Sequence, residues 1–265
     1  MVRTLHAEFA MDVDEPADFT LLLLPSAGHD GDERLAIDVD GEPVEAAEVV
    51  GRHGTRELRF TAGPGALSCS IDARIAGRAP SAPEGDDVDR YLAPSRYTQV
   101  DALRDFASER FGRAEGWAAV DAIVRHVARS LDYDAQRSAL DDGAVETLRK
   151  GGGMCRDYAH VVIALCRALG IPARYASVFA PALQPPDFHA VAEVRIDDEW
   201  WVVDATHLAP RASMVRIATG VDAEETAWAT NAGGWVTLRS LSVSAADDAL
   251  DADAADDPRE RIRLS

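Results

Sequence analysis

Hydrophobic and polar residues alternate along much of the first 88 positions of the chain. Apolar residues occupy every second position from Leu67 to Ile75, and the same period returns between Leu35 and Val39. A period of two is typical of a strand with one buried face. The pattern therefore predicts a small antiparallel β domain over residues 1–88. Cys69 falls on the inward face of its strand, so we interpret it as a core residue.

The period lengthens to three and four residues in the next part of the chain. Apolar residues recur at this helical spacing between Trp117 and Leu131, and again between Ala159 and Leu169. Alternation returns between His189 and Ile196, and a second apolar run follows at 200–205. Helices followed by neighbouring antiparallel strands predict a second domain of the α+β class, which we place at residues 89–244.

An acidic, low-complexity segment closes the chain. Residues 245–265 include the run AADDALDADAADD, which has almost nothing to bury, so we expect a solvated and disordered tail. The whole chain has 265 residues and a formal net charge of −19. Because a negative surface repels phosphates, this charge argues against nucleic-acid binding.

The cysteine count and the hydropathy bear on the cellular compartment. Three cysteines cannot form a closed disulfide framework, which favours a reducing environment. The opening residues MVRTLHAEFA lack a secretory apolar core, and no run approaches the roughly eighteen apolar residues of a membrane span. We therefore expect a cytoplasmic protein without a membrane partner. The sequence does not predict its oligomeric state.

A glycine-rich approach to a cysteine is the strongest chemical signal in the chain. Gly151-Gly152-Gly153 lead to Cys155, which begins an apolar helix. Glycines let the backbone pass close to a ligand, and the unpaired N–H groups of a helix start favour a thiolate. Cys166 lies eleven residues further along the same helix, about 16 Å away, and we interpret it as core.

A histidine and an aspartate follow on the predicted hairpin. If its turn is Asp197-Asp198, His189 and Asp204 are diagonal neighbours on one face, within reach of a hydrogen bond. A slip of one residue would place them on opposite faces. A thiol, an imidazole and a carboxylate together are the set that acyl transfer requires: a nucleophile, a base and a group that orients the base.

A zinc site is the competing interpretation of a cysteine with histidines. Structural zinc sites bring their ligands in close pairs such as CxxC, and none occurs in this sequence. His160 lies about 140° around the helix from Cys155, so the two side chains do not converge. We therefore expect no metal and no cofactor.

Three blocks in the chain resemble the bacterial transglutaminase-like superfamily. GGGMCRDYAHVVIALCRALGIPARY, DFHAVAEV and WWVVDATHLAPR match its cysteine, histidine and aspartate blocks in order and spacing. PSRY and IATGVDAEETAWATNAGG resemble the flanks of one branch, described as cysteine proteases, in which a small β-rich region precedes the catalytic domain. The resemblance covers roughly residues 90–243. It implies a papain-like or transglutaminase-like domain, with helices packed on an antiparallel sheet.

The resemblance also implies a role for each residue of the blocks. Cys155 matches the nucleophile, His189 the base and Asp204 the orienting acid. Possible supporting residues are Arg156, Asp157, Tyr158 and His207, for which helix capping, surface charge or a structural hydrogen bond is the alternative interpretation. Thr98 stands where the PSRY flank would have a cysteine, outside the three blocks.

Three functions fit these residues. The first is a cysteine peptidase or amidase that cleaves an amide of a peptide or protein through a Cys155 acyl-thioester. The second is a transglutaminase, in which an amine replaces water, and the third is a peptide-binding module without catalysis. We favour hydrolysis because an intracellular crosslinking enzyme would threaten its own cytoplasm. The segment PPDF before His189 predicts a rim of the site.

Overall fold

The computed structural model describes residues 1–78, 88–250, 257 and 259–264. These residues form four α-helices and fifteen strands. The helices are α1 (Val100–Phe111), α2 (Gly116–Ser130), α3 (Ala144–Lys150) and α4 (Cys155–Ala168). The strands are β1 (Val2–Val13), β2 (Ala17–Leu21), β3 (Asp30–Val39), β4 (Glu42–Pro43), β5 (Ala47–Val50), β6 (Arg56–Ala62), β7 (Gly65–Ala76), β8 (Asp132–Tyr133), β9 (Gly152–Gly153), β10 (Ala173–Phe179), β11 (Phe188–Ile196), β12 (Glu199–Val203), β13 (Val215–Gly220), β14 (Ala229–Ala232) and β15 (Val236–Asp247).

Two antiparallel sheets enclose one core at the N-terminal side of the molecule. One sheet has the order β15-β1-β7-β3-β4 and the other the order β14-β2-β6-β5. The alternation predicted for β7 is confirmed, since the apolar residues from Leu67 to Ile75 are all buried, Cys69 among them. Inward residues of both sheets meet in this core, including Phe19 and Phe60, whose rings stack 5.3 Å apart.

Helix α4 packs against a third antiparallel sheet, of order β12-β11-β10-β13. Twelve of its fourteen residues are buried, because α1, α2 and α3 contact it as well as the sheet. Its apolar residues join those of α2 and the inner face of β11 in one cluster, for example Ile123, Ile163 and Val194. This arrangement confirms the predicted α+β class, with helices on an antiparallel sheet beside a β-rich region.

The predicted division of the chain at residue 244 is wrong for the last strands. β14 pairs with β2, and β15 pairs with β1 from Arg3↔Asp247 to Val13↔Val236. Both strands therefore complete sheets of the N-terminal region. The chain leaves the third sheet after β13 and returns, and a local hydrophobic pattern does not indicate which distant strand a segment joins.

The predicted acidic tail differs from expectation in its described residues. Residues 245–247 belong to β15, and Ile262 and Leu264 are buried near β12, where Val202 N donates a 2.8 Å hydrogen bond to Ile262 O. Burial of these apolar side chains keeps the described C-terminal residues packed beside β12. Positions 251–256, 258 and 265 lie outside the described residues. So do residues 79–87, at the end of the predicted N-terminal domain.

A buried ionic network joins the two parts of the molecule. Glu193 of β11 accepts hydrogen bonds from Arg174 at 2.8 Å and from Arg216 at 2.6 and 2.7 Å. Arg174 lies over the ring of Trp200 at 4.0 Å and contacts His53 of the N-terminal region at 3.4 Å. Within the described part of the chain, no helix is long and apolar enough to cross a bilayer.

Candidate active site

The glycines before Cys155 are required by close packing at the start of α4. Gly151 ends α3 in the left-handed region, at φ 67°, where a side chain would be strained. A Cβ on Gly153 would lie 2.6 Å from Oδ2 of Asp157. Gly152 and Gly153 pair with β8 in a short parallel ladder. The chain thus enters α4 through a crowded turn, and Cys155 is the first residue of the helix.

Two charged residues fix this helix start. Asp157 is buried and accepts hydrogen bonds from Met154 N at 2.8 Å and from Ser138 Oγ at 2.6 Å. Arg156 donates to the other oxygen of Asp157 at 2.8 Å and also to Ala139 O. Both predicted supporting residues therefore act on the backbone around Cys155, as a cap and its partner.

His189 and Asp204 meet as the hairpin register requires. The turn is Asp197-Asp198, both with positive φ, and Ile196 pairs with Glu199. This register brings His189 Nε2 to 2.8 Å from Asp204 Oδ2, and both side chains are buried. The predicted hydrogen bond is present, and no register slip occurs.

The electrostatics of this pair favour a charged imidazolium. Burial by itself lowers the pKa of His189, but Asp204 and the neighbouring Cys155 outweigh it and raise the pKa to about 10. Burial opposes ionisation of Asp204, yet His189 and two 2.8 Å hydrogen bonds from Thr206 lower the pKa of its carboxyl. The buried Nδ1 of His189 has no nitrogen or oxygen partner within the described residues, and Cys155 is the neighbouring group that it can serve.

Cys155 differs from the other cysteines in its exposure. It is half-buried at the helix start, whereas Cys69 and Cys166 are buried. Burial raises the pKa of each of these two thiols to about 12, which keeps them protonated at neutral pH. Cys155 is therefore the cysteine placed for chemistry.

His160 has a structural environment. It is fully buried, its ring stacks on Tyr97 at 5.0 Å, and its Nε2 accepts a hydrogen bond from Ala223 N at 3.2 Å. Burial lowers the pKa of His160 to about 3, so the ring stays neutral. Within the described residues, no three His, Cys, Asp or Glu side chains are grouped as metal ligands.

Comparison with known proteins identifies the family. The model of the transglutaminase-like superfamily matches residues 103–205, a range that contains Cys155, His189 and Asp204. The crystal structure of a putative cysteine protease from Cytophaga hutchinsonii is 32% identical, with a TM-score of 0.85 over 95% of this chain and 92% of that chain. The chain belongs to the transglutaminase-like superfamily.

A further relative is an uncharacterized protein, ML0607, from Mycobacterium leprae. It is 31% identical over 93 residues, which are 35% of this chain and 33% of that protein. The chain thus spans about one third of this relative's length. The match to the Cytophaga hutchinsonii structure extends further, because it includes the β-rich region that lies outside the family model.

The remaining predicted supporting residues of this transglutaminase-like protein have different positions. Tyr158 donates a 2.6 Å hydrogen bond to Leu131 O, which ties α4 to the end of α2. His207 is exposed, at φ 54°, and the residue that contacts the His189–Asp204 pair is instead Thr206. The hydroxyl of Thr206, two residues after Asp204, closes the turn in place of the imidazole of His207.

Tyr133 is a further residue beside Cys155 that no sequence pattern predicts. It pairs with Gly153 in the β8–β9 ladder, and its phenol interacts with both the thiol and the backbone of Cys155. Partial burial and Cys155 raise the pKa of Tyr133, so its hydroxyl remains a donor. The tyrosine lies 22 positions before Cys155 in the sequence, and only the parallel ladder brings them together.

Proposed function

We propose that this protein is a thiol-dependent acyl-transfer enzyme that hydrolyses amide bonds of peptides or proteins through a Cys155 acyl-thioester. One observation carries the proposal: the buried His189 binds Asp204 through Nε2, and its ring also interacts with Cys155, the cysteine that is not buried. Asp204 and Thr206 hold the ring in this orientation. Cys155, His189 and Asp204 are thus assigned as nucleophile, base and orienting acid.

The first half of the reaction forms the acyl-enzyme. His189 takes the thiol proton, and the raised pKa of its ring favours the resulting thiolate–imidazolium pair. The thiolate attacks the carbonyl carbon of the amide, and the oxygen becomes an oxyanion. We assign the backbone N–H groups at the start of α4 and the Tyr133 hydroxyl, which interacts with Cys155, as the donors to this oxygen. The C–N bond then breaks as the imidazolium gives its proton to the leaving amine.

The second half releases the product. Neutral His189 accepts a proton from water, and the hydroxide equivalent attacks the thioester carbon. The C–S bond breaks, the carboxylic acid leaves, and the thiol regains its proton from the imidazolium. In transamidation, an amine attacks the same thioester in place of water, so the first half is common to both reactions.

The acyl acceptor and the requirement for Cys155 are tested together. Wild-type protein and Cys155→Ala are incubated with a library of glutamine-containing peptides in water enriched in ¹⁸O, with and without a primary amine, and the products are read by mass spectrometry. Cys69→Ala is the matched control, because it removes a buried thiol of the N-terminal sheet.

Hydrolysis predicts peptides that carry ¹⁸O at a new carboxyl group, in wild type and Cys69→Ala alone. Products whose mass increases by that of the amine would assign transamidation instead. No Cys155-dependent product in any peptide would reject acyl transfer to these substrates and favour a peptide-binding module.

A further inference from the structure

A cavity of about 300 Å³ lies beside the candidate active site. Its walls are the PPDF rim, through Pro186 and Asp187, and three consecutive residues of β15, Leu241, Ser242 and Val243. The volume is at the lower end of the range for ligand sites, roughly 300–1,000 Å³. The Asp187 carboxylate interacts electrostatically with His189 and with Tyr133, which places the cavity next to the reacting groups.

The wall formed by β15 is the edge of a sheet. Consecutive residues of a strand alternate between its two faces, so a cavity lined by 241–243 lies against the strand's edge. β15 is the outermost strand of its sheet, and no strand among the described residues pairs with its outer side. Such an edge presents backbone N–H and C=O groups to which an extended peptide can pair.

The charge of the cavity selects the side chain of that peptide. Oδ1 of Asp187 accepts a hydrogen bond from Phe188 N at 2.7 Å, and no arginine or lysine of the described chain pairs with this carboxylate. Asp187 is an exposed residue of the rim, and partial burial of its carboxyl raises its pKa against the opposing effect of His189. A cationic side chain of a ligand would give this carboxylate a direct ion-pair partner. The net charge of −19 also favours the approach of basic peptides.

We propose that this cavity is a substrate subsite in which an extended peptide pairs with the edge of β15 at residues 241–243 and places an arginine or lysine side chain against Asp187. The inference deepens the proposed function, because it names the class of peptide that would be presented to Cys155. It does not depend on which acceptor, water or amine, completes the reaction.

Binding is measured first, in a protein that cannot turn over. Ten-residue peptides that differ only in the position of one arginine are titrated into Cys155→Ala, each beside its neutral citrulline counterpart. We expect the best arginine peptide to bind about five- to tenfold more tightly than its citrulline counterpart. Adding Asp187→Asn brings this ratio close to one, whereas Asp187→Glu retains it.

Two controls define what would overturn the proposal. Asp105→Asn removes the same charge from an exposed position of α1 and keeps the arginine preference. N-methylation of alternate peptide amides weakens binding by at least about fivefold if the backbone pairs with β15. An arginine preference that survives in Asp187→Asn, equal binding of the two peptides, or no N-methylation effect at any position would overturn the subsite.

The titrations are independent of the chemistry at Cys155. If the wild type fails to turn over peptides that bind with the expected ratio, only the proposed function fails. If the wild type cleaves arginine and citrulline peptides with equal kcat/KM, only the subsite fails.

Discussion

Nε2 of His189 lies 2.8 Å from Oδ2 of Asp204, and neither side chain reaches solvent. Burial lowers the pKa of the imidazole, and Asp204 is the first of the two neighbours, ahead of Cys155, that raise it. The protonation state of His189 therefore depends strongly on Asp204, and this dependence gives a test through the pH profile.

Asp204→Asn is expected to move the alkaline limit of activity. The imidazolium donates a proton to the leaving amine, so wild-type kcat/KM falls as the pH rises towards about 10, the pKa of His189. Without the carboxylate, burial lowers this pKa, and the alkaline limit moves to lower pH by about one to three units. The kcat/KM at neutral pH falls by about 10²–10⁴-fold.

The pH profile is measured with the peptide that wild type cleaves best. Asp105→Asn, which removes an exposed charge, keeps the wild-type profile. An alkaline limit that stays at the wild-type position in Asp204→Asn would contradict the assignment of Asp204 as the group that charges His189.

Tyr133→Phe is expected to slow acylation without weakening the fold. The phenol interacts with the thiol and backbone of Cys155, and 43% of the residue is exposed, so removal of its hydroxyl leaves the core intact. We expect kcat to fall by about ten- to a hundredfold, with an unchanged Tm. Single-turnover kinetics and a thermal melt measure the two quantities.

Tyr158→Phe is the matched variant for Tyr133→Phe. Its hydroxyl binds Leu131 O away from the thiol, so the variant loses about 1 kcal/mol of stability and keeps its rate of acylation. If the two variants exchange these phenotypes, the role given to Tyr133 is wrong.

Alkylation is expected to distinguish the three cysteines. Iodoacetamide modifies Cys155 in the native protein, because the other two thiols are buried and have pKa values of about 12. Peptide mapping by mass spectrometry identifies the modified residue. Cys69 and Cys166 become reactive in denaturant. Native-state labelling of either buried cysteine at the rate of Cys155 would refute this assignment.

Glu193→Gln is expected to destabilise the protein strongly. Two buried arginines then lose their counter-charge, and the free energy of unfolding falls by about 3–5 kcal/mol. Glu199→Gln is the matched control, since Glu199 is half-exposed in its pair with Arg263 and contributes less than about 1 kcal/mol. Urea unfolding at neutral pH measures both values.

The same network gives a stability change in acid. Burial opposes ionisation of Glu193, but Arg174 and Arg216 lower its pKa from 4.5 to about 2. A depressed carboxyl pKa stabilises the folded state above pH 4.5, and this contribution is lost as the pH falls towards 2. The difference in stability between wild type and Glu193→Gln should therefore be constant above about pH 5.5 and shrink below pH 4.5. A difference that is independent of pH would contradict the ionised state of Glu193.

Local sequence was sufficient where the relevant contacts are close along the chain. The turn at Asp197-Asp198 sets the hairpin register, and the register alone brings His189 to Asp204. In the same way, the three glycines and the apolar repeat after them predicted that α4 begins at Cys155. The position of Cys69 in the core followed from the alternation of β7.

Local sequence was insufficient where residues meet across long separations. Tyr133 reaches Cys155 through a parallel ladder of two residues, and no pattern in the chain indicates that pairing. β15 follows the α+β region in sequence but pairs with β1, so the predicted domain boundary at residue 244 does not hold. The same pairing brings Ser242 to the cavity that Asp187 also lines.

The sequence by itself determined the class of the fold and the hairpin that carries His189 and Asp204, because hydrophobic periodicity and a two-residue turn act over a few neighbouring positions. The family and the candidate site residues followed from the resemblance of three sequence blocks. The tertiary structure alone decided what surrounds them: the tyrosine beside the thiol, the ionic network at Glu193 and the cavity against β15. Packing between distant segments selects those neighbours, and the free energy of that packing depends on the whole chain rather than on any local pattern.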